Sequence, residues 1–208
     1  MSKIYYMMGK SSSGKDSIFK EVKKRMPELK DIILYTTRPI REGETDGVEY
    51  HFVGEEKLRK LAEKGCVIEL RAYDTKCGIW KYFTADDGQI ELDRQDYLVI
   101  GTLESYAAMR QYFGQEKLVP IYIEVEDGMR LERALLRERQ QAEPKYAEMC
   151  RRFLSDSEDF SEENLKKAGI GRRFENVDFE KCVEEVCTYI HQESLLTGYD
   201  FVKNYVIL

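Results

Sequence analysis

The stretch "MMGKSSSGKDSIF", residues 7 to 19, constrains the fold more than any other part of the chain. Gly9, Gly14 and Lys15 satisfy the spacing G-x-x-x-x-G-K. Glycines there let backbone N–H groups wrap closely round a phosphate, the lysine reaches the outer phosphates, and the helix N-terminus that follows favours negative charge. The setting agrees. "KIYYMM" is an apolar run suited to a buried parallel strand, and "GKDSIFKEVKKRM" carries Ile18, Phe19, Val22 and Met26 at helical spacing, with Pro27 just beyond. Gly9, Lys10, Ser11, Ser12, Ser13, Gly14, Lys15, Asp16 and Ser17 are therefore the expected cradle for the phosphates of a nucleotide. Asp16 stands where a Ser or Thr usually contacts magnesium. A carboxylate is also a hard oxygen ligand for Mg2+, so Asp16 and Ser17 are the candidate metal residues. An acid in a first helical turn is equally well explained by the helix dipole.

Downstream, strand-like and helix-like segments alternate. "DIILYTT" reads as a second strand and "GEEKLRKLAEKG" as a short helix closed by Gly65. "CVIELRAY", "IWKYFT", "DYLVIGT" and "KLVPIYIEV" read as further strands, with "LESYAAMRQYFG" as a crossover helix. This alternation predicts an α/β chain with a parallel sheet covered on both faces. After Val125 the sequence turns charged and helical, broken near Pro144. "RRFEN" then suits a last strand, "VDFEKCVEEVCTYIHQE" a closing amphipathic helix, and "GYDFVKNYVIL" an apolar tail expected to dock on the body.

Composition excludes several classes. A net charge of -6 over 208 residues argues against a dedicated nucleic-acid binder, which would carry a basic stripe. Two histidines, His51 and His191, leave little for a zinc site or a Ser-His-Asp triad. The five cysteines, Cys66, Cys77, Cys150, Cys182 and Cys187, form no Cys-x-x-Cys pair and fit inert thiols in a reducing cytosol. No stretch has the length and hydrophobicity of a signal peptide or membrane span, so a cytoplasmic protein without membrane partners is expected.

The second decisive stretch is "TTRPIREGETDGVEYHFV", from Thr36. On its own, Arg38 and Arg41 on a turn before Tyr50 make an anion site, since guanidinium forks grip phosphate bidentately and a phenol adds a donor. A solvated loop of exposed charges would read the same way. The whole run, however, resembles the guanylate kinase signature T-T-R-x-x-R-x-x-E-x-x-G-x-x-Y-x-F at every fixed position. The resemblance extends from about Lys3 to about Ile190.

It implies a three-layer P-loop kinase fold with a parallel core sheet, a small mixed-β monophosphate-binding subdomain and a helical lid. The implied division is core at 1–33, 95–125 and 170–208, acceptor subdomain at about 34–94, and lid at about 126–169. The implied reaction is ATP + GMP (or dGMP) to ADP + GDP with magnesium, in a monomer or weak homodimer. Lys15 is similar to the family's phosphate-loop lysine. Arg38, Arg41 and Tyr50 are similar to the residues that hold the acceptor phosphate, and Glu69 in "VIEL" to the base-reading carboxylate. A plain strand-edge acid is the other reading of Glu69.

The segment "RLERALLRERQQAEPKYAEMCRR" contains six arginines and one lysine, a skew that suits bidentate phosphate work; an ion-paired surface helix is the alternative. Its resemblance to the family's lid implies donor-side roles for Arg137, Arg152 and Arg139. "FENVDFEKC" resembles the turn where the family sets an Asn against adenine, here Asn176. Three departures bear on the acceptor base. Leu34 replaces a guanine-reading Ser. "CGIWKYFT" replaces the family's Tyr-Tyr-Gly-Thr, leaving Trp80, Tyr82 and Thr84 as substitutes. "VIGTLES" replaces a strand ending in two acids, leaving Glu104 nearby. A kinase of another phosphorylated acceptor and a non-catalytic phosphopeptide-binding module share the fold; modules of that kind typically lack the loop lysine and glycines retained here.

Overall fold

A computed structural model of the chain describes residues 2–75 and 78–203. Its centre is a parallel five-stranded sheet in the order β2-β7-β1-β8-β9. These strands are β1 (Ile4–Met8), β2 (Lys30–Asp31), β7 (Tyr97–Ile100), β8 (Leu118–Glu124) and β9 (Arg173–Glu175). Every residue of β1 is buried, and alternation sends its side chains to opposite faces. Ile4, Tyr6 and Met8 enter one apolar cluster with Tyr106 and Met109 of α3 (Leu103–Phe113). Tyr5 and Met7 enter another with Ile18 and Val22 of α1 (Lys15–Arg25) and Val183, Val186 and Ile190 of α7 (Phe179–Lys203). Burial on both faces is why the strand reads as an unbroken apolar run.

The second sheet is mixed, in the order β4-β3-β6-β5, built from β3 (Tyr35–Thr36), β4 (His51–Phe52), β5 (Val67–Thr75) and β6 (Gly78–Ala85). Leu58 and Leu61 of α2 (Glu55–Glu63) pack with Tyr35 and Phe83 to form its own small core. The stretch "DIILYTT" is two strands in two sheets. β2 pairs with β7 in the core sheet, whereas β3 pairs with β4 and β6. Between them the Ile33 N–H donates to the Gln89 side chain at 2.9 Å instead of to a neighbouring strand, and the chain crosses over.

The charged segment folds into α4 (Asp127–Arg139), α5 (Tyr146–Asp159) and α6 (Glu162–Lys167). Phe160, between α5 and α6, stacks on Tyr122 of the core sheet with ring centroids 5.6 Å apart, and Leu165 is buried in the same cluster. The apolar tail continues α7 to Lys203; residues 204–208, like Lys76 and Cys77, lie outside the described residues. Among the described residues, no helix is long and apolar enough to cross a membrane.

Candidate active site

The loop between β1 and α1 depends on two glycines. A Cβ on Gly9 would lie 2.5 Å from the Ile123 carbonyl oxygen, so only hydrogen lets the loop pass β8. Gly14 takes φ +83°, and a Cβ there would meet the Asn176 amide nitrogen at 2.3 Å. That amide, nearly fully buried, donates to the Ser13 carbonyl at 2.7 Å and holds the loop from below. Ser12 has φ +64°, uncommon for a residue with a side chain. The hydroxyls of Ser12 and Ser13 are buried without a hydrogen-bond partner among the described residues. Orphaned polar atoms in a strained loop at a helix N-terminus fit an anionic ligand. Lys15 and Asp16 pair at 3.7 Å, and no side chain caps α1.

A lattice of charges ties this loop to the helices that follow β8. The Ser11 N–H donates to Asp156 of α5 at 2.6 Å, and Lys10 pairs with Asp127 at 3.1 Å. Arg130 of α4 is 1% exposed; it pairs with both Asp127 and Asp156, donates to the Ser11 carbonyl, and lies 4.2 Å over the Phe153 ring. Arg152 donates to the Ser11 hydroxyl at 3.2 Å. Arg137 and Arg152 line a small cavity together with Ser11 and Ser12. Arg139 is exposed near the end of α4, away from that lining. Arg130 and Asp156 carry the connection, and neither was singled out from the sequence. In a segment of six arginines only tertiary structure separates the fully buried Arg130 from the others.

After β3, Arg38 is buried at 4% exposure and grips Glu44 bidentately, at 2.6 and 2.7 Å. Its guanidinium lies 5.3 Å from the Tyr50 ring centroid and 5.1 Å from that of Phe52. Its Nε is buried with no partner among the described residues. The Arg38 fork beside Glu44 holds that carboxyl down at about 2, so the pair is ionised throughout the neutral range. Arg41 is exposed; its amide N–H donates to Glu44, and its guanidinium lies 5.9 Å from the Trp80 ring centroid. Tyr50 and Tyr82 meet edge to face with centroids 5.6 Å apart. Burial, then the neighbouring Tyr82, push the Tyr50 phenol up against the opposing pull of Arg38 and Arg71, which keeps it a donor.

The third part of the site lies on the β5–β6 hairpin. The register shifts between Val67 and Glu69, after which Glu69 opposes Thr84 and Arg71 opposes Tyr82. Residues two apart share a face, so Glu69 and Arg71 stand side by side. Glu69 accepts from Arg71 Nε at 2.9 Å, Thr84 Oγ1 at 2.8 Å and Ser105 Oγ at 3.0 Å. Arg71 also donates to Thr102, the residue that caps α3, at 3.1 Å. Thr84 is fully buried and Leu34 is 9% exposed. Thr102, Ser105 and Arg71 are additions to the expected set; Thr102 and Ser105 had a legible signal, a hydroxyl residue just before a helix with a small polar residue three places on. Glu104, the acid expected nearby, is exposed on the first turn of α3.

The family model described as guanylate kinase matches residues 1–193. The chain belongs to the guanylate kinase family. Among curated guanylate kinases, one from Frankia casuarinae is 44% identical over 63 residues, 30% of this chain and 34% of that protein. One from Sulfurimonas denitrificans is 47% identical over 66 residues, 32% of each chain. These matches span about a third of the relatives' length. The crystal structure of guanylate kinase from Anaplasma phagocytophilum superposes with a TM-score of 0.61 at 18% identity, covering 92% of this chain and 86% of that one. The guanylate kinase fold is therefore shared well beyond the stretches in which sequence similarity is high.

Proposed function

We propose that this guanylate kinase family chain is an ATP-dependent nucleoside monophosphate kinase that converts GMP, or dGMP, to the diphosphate. The observation that carries the reading is the presence of two anion sites in one guanylate kinase fold. The loop at Gly9–Ser17 holds buried hydroxyls, and the segment after β3 holds the buried Arg38 Nε, none of them with a partner among the described residues.

In this reading the loop amides and Lys15 hold the β- and γ-phosphates of ATP. Arg38, Arg41 and Tyr50 hold the acceptor phosphate. An oxygen of that phosphate attacks the γ-phosphorus while the bond to the bridging β–γ oxygen breaks, leaving ADP. The attacking oxygen is already anionic, so no general base is needed. Phosphoryl transfer asks for positioning and charge stabilisation, and an arginine at the transferring group is worth about a thousand-fold or more. Arg137 and Arg152 are positioned to take that role from the cavity they share with Ser11, with Arg139 third. Asn176 acts on the adenine side by fixing the loop floor.

The residues fit Mg2+: the Asp16 carboxylate is exposed at the start of α1 and is a hard oxygen donor, with the Ser17 hydroxyl adjacent. When bound, the ion neutralises charge on the β- and γ-oxygens. The lid that excludes water comprises α4 and α5 within 126–169, because Phe160 and Leu165 are anchored in the core. The acceptor subdomain at 34–94 closes from the other side of the core. Free thiols at Cys66, Cys150, Cys182 and Cys187 fit the cytoplasm, where the chain works as a monomer or weak homodimer.

The test is ATP-dependent ADP formation across GMP, dGMP, AMP, CMP and UMP with a no-acceptor control. Turnover with a purine monophosphate, highest for GMP and dGMP, supports the reading. Turnover only with an acceptor outside this panel supports a kinase of a different phosphorylated compound, and binding without turnover supports a silent module.

A further inference from the structure

We propose that Asp156 is a built-in stand-in for a donor phosphate: it docks α5 on the empty phosphate loop, and a nucleoside triphosphate must expel it to bind. The proposal rests on the kinase reading above and deepens it at the donor site.

Apolar packing does little to hold α5 in place. The helix contributes no buried residue, and residues 139–148, which lead into it, are all exposed. Its C-terminal end is fixed where Phe160, 6% exposed, stacks on Tyr122. Charge holds the rest.

Two side chains of α5 converge on Ser11. Asp156 accepts the Ser11 N–H at 2.6 Å, and Arg152 donates to the Ser11 hydroxyl at 3.2 Å. Four places apart, they share one face of the helix. Arg130 of α4 braces the contact, donating from Nη1 to Asp156 at 3.2 Å and to the Ser11 carbonyl at 3.3 Å. Asp156 is thus a carboxylate held between a loop amide and a buried guanidinium, the two kinds of donor that a phosphate oxygen takes in such a loop. In this docked form Ser11, Ser12, Arg130, Arg152 and Phe153 line a cavity of about 30 Å³, room for a few waters but not for a polyphosphate chain.

Two anions cannot share the Ser11 amide. A phosphate oxygen that takes it repels the Asp156 carboxylate, and α5, with little apolar contact to retain it, leaves the loop. Arg152 gains an anion as Asp156 loses a donor, so the exchange that undocks the helix also hands a guanidinium to the phosphates. The docked contact exists only in the free chain. It therefore lowers nucleotide affinity by slowing association and leaves dissociation untouched. Substitutions at a binding surface ordinarily act on dissociation, so the signature is distinctive.

The experiment follows association and dissociation of fluorescent N-methylanthraniloyl-ATP with Mg2+ by stopped flow, in the wild-type chain, Asp156→Ala, Asp156→Asn and Asp127→Asn. Thermal midpoints are recorded alongside. Asp156→Ala should associate about 10-fold faster, with dissociation unchanged within about 2-fold. Asp156→Asn keeps an acceptor for the Ser11 amide without its charge; it should fall between, and it serves if the alanine variant does not fold. Asp127→Asn is the control. It removes an equal charge from the same cluster, where Asp127 pairs with Lys10 and Arg130, but leaves Asp156 on Ser11, so association should rise by less than about 3-fold. Unchanged or slower association in a folded Asp156→Asn, a gain in affinity carried by slower dissociation, or an equal gain in Asp127→Asn overturns the proposal and leaves the kinase reading intact. No binding of the triphosphate by the wild type overturns the donor-site reading and this proposal with it.

Discussion

The Asp156 carboxylate of α5 accepts the amide N–H of Ser11 at 2.6 Å, so a side chain occupies one of the donors with which the loop would hold a phosphate. A nucleotide using that amide must displace Asp156, and in doing so it leaves Arg130 with Asp127 as its remaining carboxylate partner. Asp156→Asn, with its charge removed, is therefore expected to bind ATP several-fold more tightly than the wild type, as measured by calorimetric titration. The same variant should melt at lower temperature, because half the charge facing a fully buried guanidinium is gone. Weaker ATP binding in a folded Asp156→Asn would show that Asp156 helps hold the nucleotide.

Arg130 itself is expected to behave as a structural pin. Its side chain is 1% exposed and contacts Asp127, Asp156, the Ser11 carbonyl and the Phe153 ring. Arg130→Ala leaves Asp127 with Lys10 and Asp156 with the Ser11 amide in place of a guanidinium, and should cost about 1–3 kcal/mol of stability in a denaturant titration. Arg137→Ala, on an exposed part of the same helix, should leave the unfolding midpoint within about 0.5 kcal/mol and lower kcat. Equal loss of stability in both variants would contradict the division of roles.

The two arginines show where sequence reading stops. Both lie in one charged helix, and periodicity cannot tell which guanidinium is buried, because Asp156 approaches from 26 residues away. The same limit explains "DIILYTT", whose apolar content promised one strand; partner strands in separate sheets divided it. By contrast, "IYYMM" was legible because a parallel strand buried on both faces must be apolar throughout. The phosphate loop was legible because its glycines meet backbone and side-chain atoms at distances no Cβ tolerates. In the cluster on the β5–β6 hairpin, Glu69 and Thr84 were singled out from the sequence. Arg71, Thr102 and Ser105 join them through the β5–β6 register and the start of α3.

Gly14→Ala offers a sharp check on the loop. The substitution combines φ +83° with a Cβ position 2.3 Å from the Asn176 amide nitrogen. The expected outcome is loss of ATP binding together with a lower melting temperature. Asn176→Ala removes only the 2.7 Å bond to the Ser13 carbonyl. It should cost about 1–3 kcal/mol with ATP binding retained at reduced affinity. Lys15→Met should do the opposite, leaving stability near wild type and lowering turnover by about 100-fold or more.

The Arg38–Glu44 pair predicts a specific response to acid. Hydrogen bonds from Arg38 are the largest cause that lowers the Glu44 carboxyl from its ordinary 4.5 to about 2 in the folded chain. A depressed folded value means that the native state favours the ionised form. The resulting stabilisation is complete above pH 4.5, declines as the unfolded chain takes up a proton below that point, and is gone once pH falls through about 2. Glu44→Gln cannot ionise and lacks this increment at every pH. Its unfolding free energy should lie below wild type at pH 7, with the two curves converging between pH 4.5 and 2. Arg38 in that variant keeps its bond to the Pro39 carbonyl but loses its anionic partner, so added phosphate should restore more stability to Glu44→Gln than to the wild type. Parallel stability curves across the acid range would show that the Arg38–Glu44 contact contributes nothing to the folded state.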